Sequence, residues 1–177
     1  MTLASRTPET SPPVLVRAAD APVLDGDRHS AITLLADSAD TRGALTANRS
    51  LLRAGSDGAP PHFHTRCHEL FFVLGGALEV LLGDDVVPLR AGDCLVVPPR
   101  VPHAFAPAGG ADADVLVVFT PGMDRFDYYR LLDRVARGEA APGEIAASQE
   151  RFDNHYVESP RWRDVRAARA APSASAR

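Results

Sequence analysis

The stretch HFHTRCHELFFVLGG at residues 62–76 decides how this chain is interpreted, because a histidine pair leads directly into a strand-like apolar run. His62 and His64 are two residues apart, so on an extended backbone both side chains point to the same face. Glu69 opens the next strand, and the next two residues on its face are apolar. A carboxylate among inward-facing apolar neighbours is costly to bury unless a cation or hydrogen-bond donors compensate it. Two imidazoles and a metal ion would supply that compensation.

The sequence around this stretch predicts short strands separated by turns. Between residues 69 and 120, apolar runs alternate with breaks rich in Gly, Pro and Asp, and residues 21–54 show the same pattern. Two of the predicted strands cover 70–74 and 77–82, with a break at Gly75-Gly76. Several short strands at this spacing indicate an all-β barrel or sandwich.

The hydrophobic period changes after Pro121-Gly122. Apolar side chains then recur at i, i+3, i+4 and i+7, which predicts one amphipathic helix ending near Gly138. A second, weaker helix is predicted from Pro142 to about Arg151, because proline is favoured at an early helical position. We expect both helices to pack on the barrel, since the segment has few large apolar groups and could hardly bury a core of its own.

Four segments are predicted along the chain. They are a flexible N-terminal arm at 1–20, a barrel at 21–120, a helical extension at 121–160 and a basic, disordered tail at 161–177. The arm is rich in Pro, Ser and Thr, and the tail carries five arginines against one aspartate.

Composition excludes several classes of protein. The 177 residues carry a net charge of −4, which argues against general binding to nucleic acid or to anionic membranes. The first twenty residues lack the apolar core of a signal peptide, and no apolar run approaches the ~20 residues that span a bilayer. We therefore expect a cytoplasmic chain. Cys67 and Cys94 form no disulfide framework; Cys67 is interpreted as a loop cysteine and Cys94 as a small core residue.

A second stretch completes the pattern. His103 begins a short strand with Phe105 on the same face. The segments His62-x-His64-x4-Glu69-x6-Gly76 and Gly92-x5-Pro98-x4-His103, separated by fifteen residues, resemble the two sequence motifs of the cupin family. Two positions depart from the family pattern: Arg100 stands where the second motif has Gly, and Pro107 where it often has Asn.

The resemblance implies a jelly-roll-like cupin β-barrel with a divalent metal held by His62, His64, Glu69 and His103. Three imidazoles and one carboxylate suit Fe, Mn, Co or Ni, with Zn also compatible, better than they suit Ca or Mg. The alternative is that these are ordinary core or surface histidines without a metal. No other cofactor is expected.

Within cupins, the chain resembles the small bacterial, quercetin-dioxygenase-like members, both in the His-x-His-x4-Glu spacing and in a late aromatic segment at 151–156. The resemblance implies oxidative ring opening of a flavonol or another hydroxylated aromatic or enol, with Glu69 taking the substrate proton and dioxygen as co-substrate. Two alternatives stay open. One is a metal-assisted isomerase, cyclase or decarboxylase, and the other is a non-catalytic barrel that binds a small ligand.

The expected substrate pocket is lined by Phe63, Phe71, Val73 and Phe105. The tyrosines of the first helix and Trp162 are expected to pack the helices on the barrel rather than to touch substrate. His155 and Tyr156 are assigned a structural or surface role. Because cupins often pair through their sheets, the resemblance also implies a homodimer.

Overall fold

The computed structural model describes residues 12–170 and consists of one β-structure followed by helices. The strands are β1 (Val23–Leu24), β2 (Ser30–Ala36), β3 (Thr46–Leu52), β4 (Ala59–Phe63), β5 (His68–Leu82), β6 (Asp85–Arg90), β7 (Cys94–Val97), β8 (His103–Pro107), β9 (Ala113–Thr120) and β10 (His155–Tyr156). The helices are α1 (Phe126–Ala136), α2 (Pro142–Ala147), α3 (Gln149–Phe152) and α4 (Pro160–Ala170).

The strands are joined in the order β1-β2-β3-β9-β5-β8-β4-β10, with β6 and β7 also paired to β5, and the described pairings are antiparallel. The long strand β5 connects the two walls of the barrel. Its first half pairs with β7 and β9, and its second half pairs with β6 and β8. The predicted all-β barrel with C-terminal helices is therefore confirmed.

The predicted break at Gly75-Gly76 is instead an irregularity inside one continuous strand. The pairing of β5 with β9 shifts register between Val73 and Gly75. Gly76 has a φ of +72°, and a Cβ there would collide with the backbone carbonyl of Asp112. The two glycines thus let the strand bend from one wall to the other without ending it.

The core lies between the walls, and it follows the alternation of the strands. Val115, Val117 and Phe119 point inward from β9 and are at most 1% exposed, while the residues between them are partly exposed. They pack against Phe71 and Val73 of β5. Each such side chain contributes about 1.5–3 kcal/mol when fully buried.

Helix α1 matches the predicted amphipathic helix, and it packs Tyr128 and Tyr129 against Leu34 of β2. The second predicted helix is divided into α2 and α3 at Ser148. Over residues 12–170, no helix has the length and apolar character needed to cross a membrane.

Helix α4 occupies part of the segment that was predicted to be a disordered tail. Trp162 is 5% exposed and packs on Leu81, Ala104 and Ala106 of the sheet. On the same helix, Arg166 donates to the carbonyl of Ser56 at 2.8 Å, and Arg169 donates to Glu79. The prediction of disorder is therefore wrong for 161–170, because one large aromatic side chain anchors the helix.

The predictions of an N-terminal arm and a C-terminal tail both include residues outside the described part of the chain. Residues 171–177 of the predicted tail, and 1–11 of the predicted arm, lie outside the described residues. Residues 12–20 are described and exposed. Location in the cytoplasm and pairing as a homodimer stay predictions.

Candidate metal centre

Three neighbouring strands bring the four predicted ligands together. His62 lies on β4 directly opposite His103 on β8, His64 follows the end of β4, and Glu69 is the second residue of β5. All four side chains are buried, with exposures of 1–3%. One nitrogen or oxygen atom from each lies within 4.8 Å of those of the other three. The structure thus groups three imidazoles and one carboxylate into a cluster that could hold a metal ion.

Backbone carbonyls orient all three imidazole rings. Nδ1 of His62 lies 2.8 Å from the carbonyl oxygen of Pro60, and Nδ1 of His103 lies 2.9 Å from that of Val101. Nδ1 of His64 lies 2.5 Å from the carbonyl oxygen of Asp153. A carbonyl oxygen can only accept, so each Nδ1 carries a proton, and Nε2 is the nitrogen that faces the cluster. Such an arrangement is typical of metal-binding histidines.

Glu69 is the shared neighbour of two of these rings. Its Oε2 lies 2.7 Å from Nε2 of His103 and 3.1 Å from Nε2 of His64. Burial acts to raise the pKa of Glu69, but hydrogen bonds from His103 and His64 outweigh it and hold the pKa well below its ordinary value. The carboxylate is therefore ionised at neutral pH.

The histidines respond differently to burial. Burial, reinforced by the neighbouring imidazoles, puts the pKa of His62 well below its ordinary value, so this ring is neutral and ready to act as a ligand. Burial also acts to lower the pKa of His103, but its contact with Glu69 outweighs this and raises the pKa. A metal ion would take the place of the His103 proton as the partner of Glu69.

A second group of possible ligands, His64, Cys67 and Asp153, is less suited to a metal. Nδ1 of His64 is already bonded to the Asp153 carbonyl. Cys67 is 2% exposed, and burial raises the pKa of its thiol to about 12, so it is a protonated thiol rather than a reactive thiolate. Cys94, which was predicted to be a core residue, is exposed on β7.

Asp153, which neither sequence motif includes, holds the loop that follows His64. Its carboxylate accepts from the backbone N–H groups of Thr65 and Arg66 at 3.0 Å, and from the Thr65 hydroxyl at 2.6 Å. Burial acts to raise the pKa of Asp153, but hydrogen bonds from Thr65, His155 and Arg66 outweigh it and hold the pKa at about 2. The signal in the sequence that could have identified Asp153 is the late segment 151–156, in which this carboxylate lies among aromatic side chains.

Arg100 adopts a backbone conformation that favours glycine. Its φ is +68°, in the left-handed region, and its backbone N–H donates to the carbonyl of His64 at 2.6 Å. The departure from the family pattern at this position therefore keeps the turn before His103, but with an arginine in a strained conformation.

A cavity of about 630 Å³ opens from the ligand cluster toward the helices. His62 and Glu69 lie on its wall at one end, and side chains of α1, α2 and β2 form the other end. Its apolar lining includes Leu24, Ile32, Leu52, Phe105, Val117, Leu132, Val135 and Ile145. Polar groups on the wall include Arg125, Tyr128, Asn154 and Tyr156.

Of the four side chains predicted to line the substrate pocket, Phe105 lies on the cavity wall. Phe71 and Val73 are 0% exposed and belong to the packed core. Phe63 stacks on the ring of His155, with 5.1 Å between ring centroids. Face alternation identifies Phe71, Val73 and Phe105 as inward side chains but does not distinguish those that fill the core from those that border a cavity. Phe63 lies between His62 and His64, so alternation places it on the opposite face.

The tyrosines that were expected only to pack the helices are part of this wall. Tyr128 and Tyr129 from α1 and Tyr156 from β10 line the cavity. The hydroxyl groups of Tyr128 and Tyr156 are 2.6 Å apart. Burial raises the pKa of Tyr128 well above its ordinary value, so this hydroxyl stays protonated.

Comparison with known proteins finds similarity to one family over part of the chain. The sequence pattern of the family described as a cupin domain matches residues 49–119. Protein SchB of Streptomyces halstedii is 33% identical over 86 residues, which are 49% of this chain and 62% of SchB, so the chain matches less than two thirds of that relative.

Two solved structures share the fold. KdgF from Halomonas sp. is 24% identical, with a TM-score of 0.53, over 63% of this chain and 96% of its own. The polyketide cyclase RemF from Streptomyces resistomycificus is 20% identical, with a TM-score of 0.52, over 69% of this chain and 96% of its own. The cupin-domain match over residues 49–119, the two motifs and these structures agree on a cupin β-barrel fold.

Proposed function

We propose that this chain is a metal-dependent enzyme that oxidises a hydroxylated aromatic or enol with dioxygen, in the manner of a quercetin 2,3-dioxygenase. The observation that carries the proposal is the continuity between the ligand cluster and the apolar cavity of about 630 Å³, because His62 and Glu69 lie on its wall. An apolar cavity with a few convergent polar groups is typical of a small-molecule site. Its volume suits a substrate with two or three fused or linked rings.

The donor set fits a transition metal. His62, His64, His103 and Glu69 would hold the ion through nitrogen and oxygen donors, which suit Fe, Mn, Co or Ni. When bound, such an ion supplies Lewis-acid activation of a substrate oxygen and redox chemistry with dioxygen.

The residues of the chain supply the remaining steps. Glu69 is the carboxylate at the ligand end of the cavity, so it is placed to accept the proton of a substrate hydroxyl. The Tyr128 and Tyr156 hydroxyl groups can hydrogen-bond to a second oxygen of the substrate and orient its rings. The apolar wall excludes water around the deprotonated substrate, which strengthens these interactions.

A second candidate is a non-oxidative cyclisation or isomerisation in the same cavity. The observation that favours it is the hydrogen-bonded pair of hydroxyl groups of Tyr128 and Tyr156, which can donate and return a proton without an oxidant. RemF, which shares the fold, is described as a polyketide cyclase.

Oxygen uptake distinguishes the two candidates. The full chain, loaded in turn with Fe, Mn, Co or Ni, is incubated with quercetin and with a β-diketone, both in air and under strict anaerobiosis. We expect oxygen uptake, and in the Glu69→Gln variant a fall in kcat of about 100-fold or more, since proton transfer by a positioned base contributes about 10²–10⁴-fold. The control is His68→Gln, because His68 is exposed beside Glu69 and should leave kcat unchanged.

Each other result favours a different function. Turnover of either compound under anaerobiosis would support the cyclase or isomerase and contradict the dioxygenase. An absence of both uptake and turnover with all four metals, combined with tight binding of the same compounds, would contradict both enzymes and leave a ligand-binding barrel.

A further inference from the structure

Arg125 is a buried cation on the wall of the proposed substrate cavity. Its side chain is 3% exposed, and it lies between β9 and α1. Among residues 12–170, no carboxylate forms an ion pair with it. An arginine stays charged under ordinary conditions, and burying a charge without a paired counter-charge is costly. A buried, unpaired guanidinium therefore needs an explanation.

Neutral groups compensate only part of this charge. Nη1 and Nη2 both donate to Oδ1 of Asn154, at 3.3 and 3.2 Å, and Nη1 also donates to the carbonyl of Phe152 at 3.4 Å. The guanidinium carbon lies 4.7 Å from the ring centre of Phe119 and 4.5 Å from that of Tyr128. These hydrogen bonds are long, and the ring faces contribute about 2 kcal/mol each at a desolvated site, so the compensation comes without a counter-charge.

The unused donors lie together on one edge of the guanidinium plane. A guanidinium has five N–H groups, and the bonds to Asn154 and Phe152 use three of them. The remaining two are the Nε–H and the Nη2–H next to it. Nε is buried and has no hydrogen-bond partner among the described residues. Two parallel N–H groups on one edge are the arrangement that binds a carboxylate through both of its oxygens.

The other charged groups on the cavity wall are already occupied. Asp133 is paired with Arg137 at 2.9 Å, and Asp27 accepts from the hydroxyl of Ser30 at 2.7 Å. Glu69 belongs to the ligand cluster. Arg125 is the one guanidinium among the described residues on this wall. A ligand anion in the cavity would therefore meet a single cationic side chain outside the ligand cluster.

We propose that Arg125 is a specificity-determining residue that binds a carboxylate of the substrate, so that the substrate class is a hydroxylated aromatic carboxylic acid. The carboxylate lies at the Nε–Nη2 edge of Arg125, and the hydroxyl group of the ring lies at the end of the cavity occupied by His62 and Glu69. This inference rests on the proposed function only in assigning the cavity to the substrate.

The test compares 1-hydroxy-2-naphthoate with its neutral amide, 1-hydroxy-2-naphthamide, by fluorescence titration of the full chain. The titration is done with metal-loaded protein and again with chelator present. In both forms we expect the acid to bind at least about 10-fold more tightly than the amide, because charge-assisted, bidentate hydrogen bonds are formed only with the acid. In Arg125→Gln, we expect this ratio to fall to about 1 while the affinity for the amide stays within about 3-fold.

The matched control is Arg130→Gln, which removes an exposed arginine from the same helix and should keep the ratio. If Arg125 only fastens residues 152–154, Arg125→Gln will weaken acid and amide equally, and this result would overturn the proposal. A preference for the acid that disappears on chelation would also overturn it, since the carboxylate would then bind the metal.

Wild-type protein decides the matter if Arg125→Gln does not fold. In chelated wild-type protein we then expect the acid to bind more tightly than the amide, because Arg125 is the one guanidinium among the described residues on the cavity wall. Equal binding of acid and amide by that protein would overturn the proposal. The result is separate from the proposed reaction: preferential binding without oxygen uptake would contradict the dioxygenase and support the carboxylate subsite, and uptake without preference would do the reverse.

Discussion

The two ends of the cavity are built in different ways. At the ligand end, His62 and His103 are each oriented by the carbonyl of the residue two positions upstream. At the helix end, Arg125 contacts Asn154, which is 29 residues away, and Tyr129 donates to Asn48, which is 81 residues away. The first region is organised by local sequence, whereas the second exists only after distant segments have packed together.

Asp153 links the two regions. Its backbone carbonyl orients His64, and its carboxylate holds the loop that follows His64. Asp153 also ends α3, with φ and ψ of 48° and 45°. One of the three imidazoles in the ligand cluster, that of His64, therefore depends on the C-terminal segment. Substitutions in the ligand cluster, at Asp153 and at Arg100 test how far the two regions are independent.

The largest expected effect comes from removing a ligand. We expect His103→Ala to lower metal affinity by more than about 100-fold, because even the loss of an outer hydrogen-bond partner costs about 10–100-fold. The matched control is His68→Ala, which removes an exposed histidine beside Glu69 and should keep the metal. Metal content after dialysis, measured by mass spectrometry, checks both variants. Equal metal content in the two variants would contradict the assignment of the cluster.

An intermediate effect is expected at the joint between the two regions. Asp153→Asn keeps the shape and the tolerance for the left-handed conformation but removes the charge that Thr65 and Arg66 bind. With a pKa of about 2 in the folded protein and an ordinary value of 3.8, Asp153 contributes about 2 kcal/mol of stability at neutral pH. We expect Asp153→Asn to lose this amount and about 10-fold in metal affinity.

The pH dependence follows from the direction of that shift. Because the pKa of Asp153 is lower in the folded state, its contribution is complete above the ordinary value of 3.8 and is lost as pH falls toward about 2. Urea unfolding at pH 7 and at pH 3 should therefore show the difference between wild type and Asp153→Asn shrinking in acid. Asp84→Asn, at an exposed turn, is the control and should leave stability unchanged at both pH values. A difference that is independent of pH would contradict the role of the charge.

These two ways of building also explain what could be predicted from sequence. The barrel and the grouping of His62, His64, Glu69 and His103 could be predicted because two-residue periodicity and motif spacing are local properties. The contacts of Arg125 and Tyr128 could not be predicted, since nothing near residue 125 shows that Asn154 and Tyr156 will lie beside them. Helix α4 was missed for a similar reason: Trp162 orders a basic segment only because Leu81, Ala104 and Ala106 present an apolar surface to it.

The smallest expected effect concerns the turn before His103. Arg100 is held at a φ of +68°, which costs a non-glycine residue about 1–2 kcal/mol, while glycine loses more freedom on folding. We expect Arg100→Gly to stabilise the protein by about 0.5–1 kcal/mol without changing metal content. The reciprocal control is Gly92→Ala. Gly92 has a φ of +93° and open space around it, so the substitution should destabilise the protein by a similar amount. Urea unfolding measures both, and a less stable Arg100→Gly would show that the arginine side chain contributes more than its strain costs.

The pairing of β10 with β4 places Tyr156 opposite His62 and covers the edge of the strand that carries the first ligand. During synthesis, all four ligands leave the ribosome about fifty residues before Asp153 and Tyr156. A nascent chain of intermediate length thus contains every donor atom but has an open strand edge and an imidazole at position 64 that nothing yet orients. The full set of oriented donor atoms is consequently complete only when the final strand has docked.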